Sequence, residues 1–505
     1  MNQRKFGAIL SYVSMGINSV IGFIYIPMLL IFLSKGQFGL YQLIGSIIAY
    51  MTIMDFGLAN TVTRYYSRYL AHNDNNGKEN ILAISTILYS IIAILVIIIG
   101  LGVLHYALPL YKNTLSLQDL QTAKIIFIIM LINLAVIIPS HIFTAVINAH
   151  ERFIFARCVT ISNTILQPVF VLFILNFKAT VIALVLVQTL CNMFVVLVNM
   201  YYCFKKLNIK IKLHFWNQSL VKEVLIFSLF IFLAMIMDQV YWKTGQIILG
   251  AVKGTEAVAV YSIAIYLSMA YMNFSTGISS VFLPKLSEIS AKTEDMTEIN
   301  SIFIKTGRIQ FLIMSLILSG FILYGKQFIL FWVGDSFADA YLYSVILMIG
   351  LFIPLIQNTG IAILQAKNKH AFRSIIFFII AVINVVVSIP MAKQYGGLGC
   401  AITTTICLLL GQGFIINVYY KLIGIDIIYF FKNILKMSVT IIIIFIIGYV
   451  INTHMSESTP FFFIFKIISF IFIFIFFVWK FAMNDYEKKL ILNPIVKILK
   501  IRPNQ

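Results

Sequence analysis

The sequence has 505 residues, of which 61% are hydrophobic and 11% are charged, whereas an ordinary soluble domain carries about 25% charged residues. This composition argues against a soluble enzyme. The formal net charge of +19 also occurs in nucleic-acid-binding proteins, but its distribution along the chain, described below, argues against that class. The five cysteines show no metal-ligand spacing and no disulfide framework.

Long apolar runs recur along almost the whole chain. Because about 20 apolar residues in a helix cross the hydrocarbon core of a bilayer, these runs predict an all-α, polytopic membrane protein with about fourteen spanning helices. The predicted spans are 7–33, 38–60, 81–108, 124–148, 156–176, 180–203, 223–250, 257–283, 306–332, 341–365, 372–392, 398–420, 433–451 and 461–482.

The positions of the basic residues predict the orientation of these spans. Arg4 and Lys5 precede an apolar run that is too long for a signal peptide, so we expect the first span to be retained. If the N-terminus is cytoplasmic, the great majority of the 37 lysines and arginines fall on the cytoplasmic side. The positive-inside rule therefore predicts that both termini are cytoplasmic. Lys243 and Lys466 are the exceptions, because they lie inside spans.

Weak internal similarity suggests two parallel halves. Tyr41 and Gly57 recur at one constant offset as Tyr261 and Gly277, each pair in the second span of a group of six. Transporters built from such repeats usually bind substrate near the bilayer midplane. We predict an N-terminal six-helix half (1–204), a cytoplasmic interfacial linker (205–222), a C-terminal six-helix half (223–422), two additional spans (423–484) and a basic amphipathic cytoplasmic tail (485–505).

One predicted span, which contains LAMIMDQVYWKTGQIILGAV, carries an aspartate and a lysine near its middle. Each charge costs about 2.5–3.5 kcal/mol at a helix centre on insertion scales. Gln239, Lys243 and Gln246 share one helical stripe, while Asp238 lies beside it. The pattern has two interpretations: the stripe faces a wet cavity that receives substrate, or its polar groups join helices.

A second polar set ends the second predicted span. Asp55 is followed by Arg64 and Arg68, which share a helix face. The planar guanidinium group suits phosphate because it donates two parallel hydrogen bonds. Arginines at the inner end of a span also serve as orientation anchors. Phosphate contact and orientation anchoring therefore remain two open interpretations of Arg64 and Arg68. The amides inside spans are typical of interhelical hydrogen bonds.

Several short motifs, in this order, resemble the flippases of lipid-linked oligosaccharides. These are the Wzx-type polysaccharide transporters of the multidrug/oligosaccharidyl-lipid/polysaccharide exporter superfamily. The motifs are Gly39 and Tyr41, Asp55-Phe56-Gly57-Leu58 with Arg64, Ala149-His150-Glu151-Arg152, Gly250, Gly254 and Tyr261, Pro284-Lys285-Leu286-Ser287, and Tyr395-Gly396-Gly397-Leu398-Gly399.

The resemblance implies movement of an undecaprenyl-diphosphate-linked oligosaccharide repeat unit from the cytoplasmic to the outer leaflet by alternating access. The product would serve O-antigen or capsule assembly at a bacterial inner membrane. Pro284 stands where a second-half counterpart of Arg64 would lie, so a symmetric cationic ring is not expected. On this reading we assign substrate binding to Lys243, Arg64, Gln239 and Gln246, and ion coupling to Asp238 and Asp55.

We expect a transporter rather than an enzyme, with no cofactor, no metal and no nucleic-acid partner. The expected partners are the lipid-linked oligosaccharide and membrane lipids, and a polysaccharide polymerase is a further candidate. The alternatives are a cation-coupled multidrug exporter that uses Asp55 and Asp238, and a lipid II flippase. A membrane polymerase or glycosyltransferase is disfavoured because the outer loops are short.

Overall fold

The computed structural model describes residues 3–216, 218–292, 295–367, 369–454 and 459–498, and the regular structure in these ranges is entirely helical. The first helices are α1 (Gln3–Phe32), α2 (Lys35–Thr52), α3 (Leu58–Ala71), α4 (Asn75–Gly102), α5 (Leu117–Ala149), α6 (Phe153–Phe177), α7 (Val181–Lys205), α8 (Gln218–Lys253) and α9 (Thr255–Lys292). They are followed by α10 (Met296–Val333), α11 (Ala340–Ile356), α12 (Thr359–Ala366), α13 (Ala371–Leu408), α14 (Ile416–Leu422), α15 (Ile427–His454), α16 (Pro460–Phe477) and α17 (Asp485–Ile498).

The number of spans agrees with the predicted all-α membrane fold. Within the described ranges, 11 helices are long and apolar enough to cross a membrane, or 12 if the pair α11 and α12, bent by 45°, is one span. The stretch Ala371–Leu422 counts once although it has 52 residues. It breaks at Gly396 (φ 61°, ψ −136°) and contains two predicted spans. The 36-residue α8 covers the predicted span 223–250.

Local sequence signals explain where several helices begin and end. Ser34 and Gln37 form a reciprocal capping box at the start of α2, with both hydrogen bonds at 3.2 Å. Asp74 and Ser116 cap α4 and α5 through their side-chain oxygens. Gly254 alone separates α8 from α9, and its φ of +84° is a conformation that side chains with a Cβ rarely adopt.

Large apolar side chains cover the outward faces of the long helices. On α16, for example, Phe472 is 69% exposed and Phe476 is 61% exposed. Such faces are unfavourable in water but suit lipid tails, and a spanning helix satisfies its backbone hydrogen bonds internally. The protein is therefore an integral membrane protein.

Packing divides the chain into two compact units. The first comprises Met1–Ser262 with Ser388–Gly397, and the second comprises Ile263–Val387 with Leu398–Gln505. Helix α8 belongs to the first unit, where the Thr114 hydroxyl donates to the Gly250 carbonyl at 2.8 Å. The predicted six-helix halves rest on a sequence repeat rather than on packing, and they stay a prediction.

The two predicted cytoplasmic segments differ in form. Between α7 and α8, residues 207–216 are irregular, and the His214 backbone amide donates to the Asn80 side chain at 3.0 Å. The predicted tail begins as α17, whereas its residues 499–505 lie outside the described part of the chain.

Candidate functional site

A break between α2 and α3 positions the first candidate residue. Residues Ile53–Asp55 form one 3₁₀ turn, and the next two residues, Phe56 (φ 52°) and Gly57 (φ 65°), are left-handed. This conformation costs a residue with a Cβ about 1–2 kcal/mol. The Phe56 ring stacks on Phe232 of α8 with centroids 4.6 Å apart, which holds the strained residue. The break therefore places Asp55 between α2 and α3.

The Asp55 carboxylate pairs with a histidine from another spanning helix. Asp55 is 9% exposed, and its Oδ1 lies 3.0 Å from Nδ1 of His141 on α5. The fully buried Tyr89 of α4 lies close enough to interact with the same carboxylate. A buried carboxylate is stabilised only when it is paired or hydrogen-bonded, and His141 provides that partner.

Both residues line a cavity of about 430 Å³ inside the first unit. Its wall is partly apolar, and it is named the polar cavity for its polar lining residues. Within it, the Tyr41 hydroxyl donates to Gln188 Oε1 at 3.1 Å. Asn133 Oδ1 is buried and accepts no hydrogen bond from the described part of the chain, so it is available to a bound water or cation. The polar lining residues are Tyr41, Thr52, Asp55, Asn133, His141, Gln167, Gln188, Thr189 and Asn192.

This cavity suits a small, positively charged species. One carboxylate, one imidazole and several amide and hydroxyl oxygens offer acceptors for a proton or a partly hydrated alkali cation. No group of three or more His, Cys, Asp or Glu side chains with metal-binding geometry occurs among the described residues. The donor set is therefore unlike a transition-metal site. Ionisable groups inside spanning segments commonly mark ion pathways.

Arg64 lies outside this cavity. It sits on α3 with an exposed side chain, and its guanidinium carbon is 5.9 Å from the centroid of the Tyr65 ring. Arg68 is also exposed one turn further along α3. The structure therefore leaves both arginines accessible on the surface of the first unit.

The four candidate residues of α8 differ in their surroundings. Asp238 is exposed, Gln239 and Lys243 are half-buried, and Gln246 is buried. The Gln246 amide donates to the Ser262 hydroxyl at 2.8 Å and accepts a hydrogen bond from the Ser46 hydroxyl. Because both ends of this amide are engaged, its surroundings favour the helix-joining interpretation for Gln246. None of the four is among the described residues that line the polar cavity.

The pairing of Asp55 with His141 was missed from the sequence, where the histidine is isolated in its own span. One signal was present: both residues lie near the predicted inner ends of their spans. Equal depth in neighbouring spans makes contact feasible, but it does not identify neighbours among fourteen helices. The amides inside spans were expected to favour interhelical hydrogen bonds. Gln188 of α7 forms one with Tyr41 of α2, whereas Asn133 Oδ1 accepts none from the described residues.

Comparisons with known proteins agree with this architecture. A family model described as a polysaccharide biosynthesis protein matches residues 6–290. A Shigella flexneri protein with the provisional name O-antigen transporter is 24% identical over 391 residues, which are 75% of this chain and 90% of that protein.

Two solved structures share the fold. The lipid II flippase MurJ in an inward closed conformation has a TM-score of 0.71 at 14% identity, covering 97% of this chain and 100% of that chain. An inward-facing multidrug resistance transporter of the MATE family and MOP superfamily has a TM-score of 0.68 at 14% identity, covering 84% of this chain and 99% of that chain. These identities are low enough that the likeness concerns the fold.

The fold is that of membrane transporters, and the resemblance expected from the motifs is confirmed at the level of the family. The matched segment covers more than half of the chain and includes α2 to α8, which carry the polar cavity and the lysine-bearing stripe. The chain therefore belongs to the polysaccharide biosynthesis protein family.

Proposed function

We propose that the protein is a flippase that moves a polyprenyl-diphosphate-linked oligosaccharide from the cytoplasmic to the outer leaflet of a bacterial inner membrane. The observation that carries this proposal is the family match across residues 6–290 in a chain with the transporter fold. A membrane protein of polysaccharide synthesis that has this fold is suited to move the polysaccharide precursor across the membrane. The precursor is built on a lipid carrier, and the charged head of this lipid does not cross hydrocarbon unaided.

Recognition of the charged head is assigned to basic and amide side chains of the first unit. Lys243 is half-buried in α8, and an ammonium group in a hydrated groove offsets diphosphate charge while the prenyl chain stays in lipid. Gln239 precedes it by one turn on the same stripe, and the exposed Arg64 offers a bidentate phosphate contact. Gln246 supports this group by joining α8 to its neighbours rather than by touching substrate.

Ion coupling is assigned to the Asp55–His141 pair, with Asp238 as the second candidate. The pair lines the polar cavity, where the described residues leave a buried acceptor, Asn133 Oδ1, without a hydrogen bond. Occupation of this cavity by a proton or an alkali cation changes the charge of a strained helix break, and such a change biases the protein between the two states of an alternating-access cycle. From the positive-inside rule we propose that both termini are cytoplasmic.

The proposal is tested in a strain that lacks this protein. The expected result is accumulation of a polyprenyl-diphosphate oligosaccharide facing the cytoplasm, with loss of surface glycan, and recovery on expression of the intact chain. Normal glycan combined with raised sensitivity to cationic drugs would instead support a multidrug exporter. Accumulation of lipid II would identify a peptidoglycan-precursor flippase.

Lys243→Gln tests the substrate assignment in the same strain. We expect glycan transport to fall, because the diphosphate loses its counter-charge inside the membrane. Lys253→Gln is the matched control, because Lys253 is exposed at the end of the same helix. If Lys243→Gln, expressed at the normal level, transports as well as the control, Lys243 has no part in binding.

A further inference from the structure

The junction of α16 and α17 is held by a buried ion pair. Arg308 on α10 donates to Glu487 through Nε at 2.5 Å and Nη2 at 3.1 Å, and the same Nη2 donates to the Ala482 carbonyl at 3.0 Å. Asn484 caps α17 with reciprocal hydrogen bonds to Glu487, both 2.9 Å. These contacts fix the direction in which α17 leaves the membrane-spanning helix.

A groove of about 580 Å³ lies beside this junction. One wall is apolar and belongs to the membrane-spanning α16, and the rim carries the ammonium groups of two lysines. The groove is lined by Phe472, Ile475, Phe476, Trp479, Lys480 and Lys488.

The lysines are held over aromatic rings at the rim. Lys480 Nζ lies 5.2 Å from the Phe481 ring centroid, and Lys488 Nζ lies 6.0 Å from the Trp479 ring centroid. Glu487 is already engaged by Arg308, so it does not neutralise them. Among the described residues of α17, the other carboxylate in the first turn is the exposed Asp485. The rim is therefore cationic on balance.

We propose that this groove binds one anionic phospholipid of the surrounding membrane. The phosphate lies between Lys480 and Lys488, and the acyl chains follow the exposed rings of Phe472 and Phe476 down α16. Trp479 lies between these two zones, where indole rings are enriched in membrane proteins. A soluble phosphate ion would leave the apolar wall without a partner, whereas a lipid matches both the charge and the wall. On the proposed topology the site faces the inner leaflet.

The test uses quenching of Trp479 fluorescence in the full-length protein, reconstituted in bilayers of brominated lipid. The signal of this residue is obtained by subtracting the Trp479→Phe variant. Brominated phosphatidylglycerol is expected to quench Trp479 at lower mole fraction than brominated phosphatidylcholine. Each lysine near a membrane surface contributes about fivefold in affinity for anionic lipid, so Lys480→Gln with Lys488→Gln is expected to weaken that preference by roughly 25-fold.

Two variants decide between this site and general surface charge. Lys432→Gln with Lys489→Gln removes the same charge from exposed positions that do not line the groove, and it is expected to keep the preference, as is Lys480→Arg with Lys488→Arg. Equal quenching by both lipids would overturn the proposal, as would an equal loss in the control double variant. Competition by millimolar inorganic phosphate would assign the rim to a soluble anion instead.

Discussion

The buried pair Arg308–Glu487 gives a prediction whose size follows from the geometry. The two side chains are 10% and 2% exposed and share two charge-assisted hydrogen bonds. At about 1.5–3 kcal/mol for each such bond, Glu487→Gln weakens the docking of α17 by roughly 3–6 kcal/mol. The cost of leaving one partner of a buried pair unmatched, about 3–5 kcal/mol, is of the same size.

Hydrogen exchange of the α17 backbone amides measures this weakening directly. A loss of about 3 kcal/mol raises the population of the undocked state roughly 100-fold, so protection in α17 is expected to fall by about two orders of magnitude. The double substitution Arg308→Met and Glu487→Met removes both charges together and is expected to retain most of the protection.

Two outcomes would refute this reasoning. Unchanged exchange in Glu487→Gln would mean that the ion pair does not hold α17. A double Met variant that exchanges as fast as the single variant would mean that the geometry of the bonds, rather than an uncompensated charge, accounts for the loss. Lys489→Gln, an exposed neighbour on α17, is the control and is expected to exchange like the unaltered protein.

Three further predictions concern the first unit. Gly39→Ala should lower the melting temperature in detergent, because the added Cβ overlaps the carbonyl of Thr255, the first residue of α9, and such overpacking costs about 1–3 kcal/mol. Gly45→Ala is the control and should leave the melting temperature unchanged, because the space around the added Cβ is open. Asp55→Asn and His141→Gln should each reduce glycan transport roughly tenfold. The double variant should transport as well as either single variant, because the two groups act as one pair. Additive losses in the double variant would show that the two residues act independently. Burial lowers the pKa of His150 below its ordinary value of 6.5. Stability should therefore fall as pH drops through 6.5 towards the lower folded-state pKa, and His150→Gln should remove this dependence in thermal melts.

Hydropathy alone predicted the class of fold, because a bilayer requires long apolar helices wherever the chain crosses it. The break at Gly57, inside the predicted span 38–60, was not predicted, whereas the break at Gly396 falls between the predicted spans 372–392 and 398–420. Gly57 takes a positive φ value, yet other glycines inside predicted spans, such as Gly45 and Gly16, continue their helices. Whether a glycine bends a helix depends on tertiary packing, which a single sequence does not contain.

The sequence predicted the types of residue in the candidate site better than it predicted the contacts between them. Asp55 and His141 are 3.0 Å apart but lie in different spans, and residue spacing carries no information about which spans are neighbours. Gln246 fits a polar stripe in sequence, whereas the structure engages both ends of its amide. The Arg308–Glu487 pair could not be predicted for the same reason, because six helices separate α10 from α17 in the chain.

Transport by the purified protein is the measurement that tests the central claim most directly. Proteoliposomes are loaded with a polyprenyl-diphosphate oligosaccharide that is protected from an external, impermeant glycosidase. The proposal predicts that the intact protein exposes this sugar to the enzyme faster than protein-free liposomes do, and that Lys243→Gln slows exposure while Lys253→Gln does not. Exposure at the protein-free rate, by well-folded protein supplied with proton and sodium gradients, would contradict the proposed flippase function.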